Sequence, residues 1–110
     1  MLLIYIAEAH AADAWPINSS RSAGPANTVL TPTSLEERCV IANRMLDALP
    51  CLRQVTLLVD GLDDRFLTDY AAWPIRSYGV TSGCVQHIGQ PIGSSINLLL
   101  ARRWLSENVA

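Results

Sequence analysis

A chain of 110 residues supports one small domain, and with half of them apolar and 16% charged it has the composition of a folded globule, not of a disordered segment. Ten acidic against eight basic residues leave a formal charge of −2, so there is no basic field to hold nucleic acid. The three cysteines, Cys39, Cys51 and Cys84, are odd in number, widely spaced and without a Cys-x-x-Cys pair, which argues against a disulfide framework or a zinc site and reads as buried thiols of a reducing, cytoplasmic compartment.

The chain opens on an apolar run, Leu2-Leu3-Ile4-Tyr5-Ile6. At about six residues, with no preceding basic region and no small-residue cleavage site, it reads as a core strand and as neither a leader nor a membrane span. The run passes without a break into Glu8, His10, Asp13 and Trp15. If the strand persists that far, alternation brings Glu8 and His10 out on one side. Ligand crevices of open α/β sheets lie beyond the carboxyl ends of their strands, where this pair would stand. A carboxylate beside an imidazole can hold one ring tautomer and tune its proton affinity for transfer near neutral pH. The plainer reading of the same residues is that Glu8 caps the next turn and His10 packs. A metal site of Glu8, His10 and Asp13 is set aside, because a strand end and the following turn rarely converge and no second histidine is near, so no metal is expected.

Residues 18 to 33 are rich in Asn, Ser, Gly, Pro and Thr, and read as a long surface loop, either a lid or a plain connection. Ser34 with Glu37 makes a capping box, and Leu35, Cys39, Ala42, Met45, Leu46 and Leu49 recur at helical spacing until Pro50, predicting a helix over 35 to 49. Val55 to Val59 is a short apolar run of the kind found in parallel strands buried on both faces. Asp63 or Asp64 can cap a second helix ending near Trp73, where Pro74 stops it. A strand from Arg76 to Thr81 then turns at Ser82-Gly83 into a second strand, Cys84 to Ile88. Ser94 or Ser95 can cap a last helix whose packing stripe is Ile96, Leu99, Leu100, Arg103 and Trp104. Cys39 and Cys84 are assigned to the helix stripe and the strand, His87 is read as surface or packed, Gly89 to Gly93 as turn chemistry, and Arg102-Arg103 as a solvated helix face.

The run Tyr5-Ile6-Ala7-Glu8-Ala9-His10-Ala11-Ala12-Asp13-Ala14-Trp15 resembles the Tyr-Ile-x-Glu-Ala-His-x-x-Asp-Gly-Trp signature of the iodothyronine deiodinase family, with Ala14 replacing the glycine. The similarity continues in register through Thr31-Pro32-Thr33-Ser34-Leu35-Glu36-Glu37-Arg38, Leu58-Val59-Asp60-Gly61-Leu62-Asp63 and Tyr70-Ala71-Ala72-Trp73-Pro74. It covers nearly the whole chain, and its later blocks are most similar to the deiodinase-like proteins of bacteria.

The resemblance implies an α/β fold of the thioredoxin-like class, with element order β-α-β-α-β-β-α in a mixed sheet and with the first strand and active-site helix absent. It implies that Pro74 is the cis-proline preceding the hairpin and facing the active site. The family's redox centre, a cysteine or selenocysteine, lies ahead of the Tyr-Ile-x-Glu-Ala-His strand, so the chain is expected to be a carboxyl-terminal portion without its nucleophile. The sheet would then be open between the first strand and the Val55 strand, so that either the two strands close up or a partner, such as a second copy, pairs there. By resemblance the reaction is reductive dehalogenation of an iodothyronine-like substrate. Glu8 and His10 would manage protons, Trp15 and Trp73 would wall the substrate beside Pro74, no cofactor would be bound, and an external thiol would supply reducing equivalents. Vertebrate members carry a His-Arg where this chain has Pro32-Thr33, and a basic residue near the segment that here reads Ile88-Gly89-Gln90-Pro91. Two alternatives stay open: a peroxide- or disulfide-reducing thioredoxin relative, and a catalytically inactive module that takes a strand from a partner.

Overall fold

The apolar opening becomes strand β1, Leu2–Tyr5, in the computed structural model, which describes residues 1–16, 29–90 and 97–109. The described residues are mixed α/β, with three α-helices and two two-stranded sheets, and they divide into two units, Met1–Tyr70 and Ala71–Ala110. One mixed sheet is the expectation from sequence; here the parallel and antiparallel pairs are separate ladders.

In the first unit β1 is followed by helix α1, Leu35–Ala48, a 3-10 turn at Pro50–Leu52, strand β2, Thr56–Val59, and a five-residue helix α2, Arg65–Asp69. β1 and β2 pair directly and in parallel, Leu2 with Thr56 through Tyr5 with Val59, and the backbone N–H of Asp60 adds a bond to the Tyr5 carbonyl at 2.8 Å. The open gap inferred between these strands is therefore closed, since each supplies the backbone partners the other would lack. A homodimer formed through that gap loses its inner edges for the same reason. β2 alternates exposed and half-buried residues, Leu58 among the exposed, so it is not buried on both faces.

Helix α1 starts as the sequence predicts. Ser34 Oγ accepts from the backbone N–H of Glu37 at 3.1 Å, but the Glu37 carboxylate reaches one residue further back than a capping box requires, accepting from the N–H and hydroxyl of Thr33 at 2.7 and 3.0 Å. The buried stripe is Arg38 and Ala42, with Cys39, Met45 and Leu46 half-buried beside them. Cys51 and Cys84 are exposed, so of the three free thiols only Cys39 is even partly inside. α2 ends well before Trp73, because Ala71 takes a left-handed φ of 46° just after it, and such a residue terminates a helix.

In the second unit the Trp73–Pro74 peptide bond is cis. Strands β3, Ser77–Thr81, and β4, Cys84–Gly89, form an antiparallel hairpin with a register shift between Gly79 and Val80. Ser82 and Gly83 both have positive φ, 52° and 76°, the geometry of a two-residue type I′ turn. Helix α3, Leu98–Asn108, packs on both strands through Trp104. Its ring covers the cross-strand pair Gly79 and His87: a Cβ at position 79 would come within 2.5 Å of the indole, and the His87 ring stacks on it at 6.0 Å. The α3 cap is Asn97, whose side chain accepts from Leu100 N–H at 3.2 Å; Ser94 and Ser95, most of the loop read over 18 to 33, and the end of the Gly89–Gly93 turn lie outside the described residues.

Candidate active site

β1 stops at Tyr5, so Glu8 and His10 are not brought together by strand alternation; Ala9 and His10 sit in a turn just past the strand end. Tertiary bonds give this stretch its shape. The Ala12 N–H donates to the Val29 carbonyl at 2.8 Å, and the N–H groups of Ala14 and Trp15 both donate to the Ala11 carbonyl, at 3.1 and 3.2 Å. Asp13 Oδ1 accepts from both the N–H and the hydroxyl of Thr31, at 2.8 and 2.9 Å. These bonds hold the Asp13 carboxyl below its usual range, although it is exposed.

His10 Nδ1 lies 3.0 Å from the Trp15 carbonyl oxygen. A carbonyl can only accept, so Nδ1 carries the hydrogen and the lone pair of the neutral ring is on Nε2. The partner at Nδ1 is therefore a backbone carbonyl, while Glu8 acts on the ring through its charge. The Trp15 ring leans against the imidazole, centroids 5.0 Å apart and planes 50° from parallel, while the tryptophan itself is 61% exposed. Glu8 is half-buried; burial pushes its carboxyl above the ordinary value of 4.5, and the charge of His10 opposes that rise. The arrangement is a half-buried carboxyl, raised from its ordinary value by burial, next to an imidazole whose Nδ1 faces the Trp15 carbonyl.

A second polar cluster at the carboxyl end of β2 has no counterpart in the sequence reading. Arg38 Nη1 donates to the carbonyls of Asp60 and Gly61 at 3.1 and 2.6 Å and pairs with Asp64 at 2.9 Å. Asp60, itself buried, accepts from the backbone N–H groups of Phe66 and Leu67, each at 3.0 Å, and so caps α2 from a distance. Asp64 stands at the cap position with φ 51° but its side chain makes no cap bond, and Asp63 is not the cap either. The signal available beforehand is an arginine at a stripe position of α1, three residues after Leu35 and four before Ala42.

Trp15 belongs to the first unit, Trp73 and Pro74 to the second, and Trp73 is 43% exposed. Among the described residues no group of three His, Cys, Asp or Glu side chains is placed to hold a metal ion, and Asp13 is committed to Thr31.

The family model for iodothyronine deiodinase matches residues 1–109 of the chain. The chain belongs to the iodothyronine deiodinase family. Similar deiodinases include the type II iodothyronine deiodinase of Petromyzon marinus, 31% identical over 88 residues, which make up 80% of this chain and 28% of that protein. Those of Homo sapiens and Rattus norvegicus are 29% and 28% identical over 107 residues, 97% of this chain but only 38% and 40% of theirs. The chain thus spans less than half the length of these deiodinases. Among the described residues no helix is long and apolar enough to cross a membrane.

Proposed function

We propose that the chain is the proton-handling part of a deiodinase-like oxidoreductase of thioredoxin-like fold, acting on an iodothyronine-like aromatic substrate with a redox nucleophile supplied from outside these 110 residues. The observation that carries this reading is the His10 Nδ1 bond to the Trp15 carbonyl beside a half-buried Glu8, in the sequence block that carries the family signature. None of Cys39, Cys51 or Cys84 falls in that block.

In the complete reaction a selenolate or thiolate takes the iodine of the substrate, forming a selenium–iodine or sulfur–iodine bond as the carbon–iodine bond breaks with its electron pair left on carbon. His10, once its Nε2 is protonated, delivers from that nitrogen the proton that the carbon needs, and the carboxylic acid form of Glu8 restores it. Two equivalents of an external thiol then reduce the selenenyl or sulfenyl iodide, releasing iodide and a disulfide. Trp15, whose ring leans on the imidazole, supplies aromatic surface for the substrate. Three free thiols suit a reducing, cytoplasmic setting.

The test is iodide release from an iodothyronine in the presence of a dithiol, using the chain extended upstream in its own reading frame through the first cysteine or selenocysteine codon. Release by the extended chain, abolished in His10→Ala and reduced in Glu8→Gln, is the expected result. Release by the 110-residue chain alone, or full activity in His10→Ala, refutes the proposal.

A further inference from the structure

We infer that Asp13 and Thr31 form a positioning couple that sets the tautomer and orientation of His10, acting through the Trp15 carbonyl; the inference builds on the proton-handling role proposed for His10. Among the described residues the backbone partner of the imidazole is Trp15 O, at 3.0 Å. Where that oxygen sits depends on a turn closed by Ala11, whose carbonyl accepts from both Ala14 and Trp15. Bonds of this kind, within five consecutive residues, leave the turn free to pivot as a body. Asp13 stops the pivot. It stands inside the turn, between the Ala11 carbonyl and Trp15, and its Oδ1 grips Thr31 by two donors, N–H at 2.8 Å and Oγ1 at 2.9 Å. The Ala12 N–H bond to the Val29 carbonyl holds the turn one residue earlier.

Thr31 is itself fixed. Two residues later the N–H and hydroxyl of Thr33 are held by Glu37, in the first turn of α1, and Pro32 between them has a restricted φ. The grip of Asp13 thus refers the His10 carbonyl acceptor to helix α1, the longest element of the first unit. A side chain at position 13 can do this only if it offers an acceptor oxygen at that length. Asn meets the condition and Ala does not. The hydrogen bonds of Asp13 go to Thr31, so its role is positional, not catalytic.

The test uses the 110-residue chain and reads the histidine ring nitrogens by NMR, with His87 in the second unit as an internal reference. In Asp13→Ala the ratio of Nδ1–H to Nε2–H tautomer at His10 is expected to fall about fivefold, as for loss of one ordinary hydrogen bond, with His87 unmoved. Asp13→Asn is expected to stay within about twofold of the parent, because its amide oxygen accepts from the same donors. Unchanged His10 resonances in a folded Asp13→Ala chain overturn the inference, and so does an equal shift at His87, which would mark a general loosening. If Asp13→Ala fails to fold, Thr31→Val decides: it removes one donor and keeps the N–H, so a partial shift at His10 supports the couple and none refutes it. Since the readout is the ring and not turnover, the inference and the deiodinase reading can fail separately.

Discussion

Replacing Arg38 with Met tests whether the buried guanidinium organises the carboxyl end of β2. Arg38 is 4% exposed, and its Nη1 serves three oxygens. The Asp60 carbonyl bond is buried, so leaving that oxygen without a donor costs about 1–3 kcal/mol. The Asp64 side chain is 38% exposed and water can replace the guanidinium there, so the ion pair contributes only about 0–1 kcal/mol. The apolar body of methionine keeps most of the packing of the arginine stem, which holds the cavity contribution small. A net loss of about 1–4 kcal/mol results, and with a urea dependence of about 2 kcal/mol per molar the midpoint should fall by roughly 0.5–2 M. Urea titration by far-UV circular dichroism measures it, with hydrogen exchange at the Phe66 and Leu67 amides as a local reporter of whether Asp60 still caps α2. A loss under about 0.5 kcal/mol, the scale of an ordinary surface change, with both amides as protected as before, would refute the reasoning.

Gly79→Ala places a methyl against the Trp104 ring and should cost about 1–3 kcal/mol by overpacking, seen as a lower melting temperature and a changed tryptophan emission; an unaltered melt would show that α3 does not seat on the hairpin as described. Ser34→Ala removes the acceptor for the Glu37 N–H and should cost about 1 kcal/mol, read by urea denaturation, while Ser34→Asp should restore it. Glu8 is held above its ordinary value, so the stability it contributes is fully present below about pH 4.5, where folded and unfolded chains both hold the proton, and is lost as pH rises through the higher folded value. Glu8→Gln should therefore match the parent at low pH and be the more stable chain at pH 7, by thermal melts across the range; the opposite ordering would mean the carboxylate is paired. Asp13 and Glu37 run the other way: both are lowered by their threonine donors, so their contribution is present above their unfolded values and lost as pH falls through the folded ones. Asp13→Asn and Glu37→Gln should flatten the acid limb of the same curve.

Several elements were legible in advance because their causes are local. Ser34 and the apolar spacing after it announce α1, and Ser82-Gly83 between two β-rich runs announces the hairpin turn, since both central residues must take positive φ. The length of α2 was not legible, because the residue that ends it, Ala71, carries no signal for a left-handed conformation. Asp60 as the cap of that helix was hidden for a different reason: it reaches from the end of β2 to amides six and seven positions on, outside the reach of any capping pattern. At the site, Glu8 and His10 could be singled out by type and by resemblance, yet the group that orients His10 is a main-chain carbonyl, which every residue possesses and no sequence distinguishes. Arg38 was missed because a charged residue on a helix is read as solvated, and only the loop folded over it reveals the carbonyls that pay for its burial.

The twin threonine grips have a mechanical consequence. Thr31 is seized by a carboxylate from the turn and Thr33 by a carboxylate from the helix, with a stiff proline between them, so the two ends behave as a short rod hinged at neither side. Sliding α1 along its axis would drag the His10 turn with it, and twisting the turn would load the first coil of the helix. Helix α1 and the turn that carries His10 are thus tied through Thr31, Pro32 and Thr33, so the placement of one constrains the other.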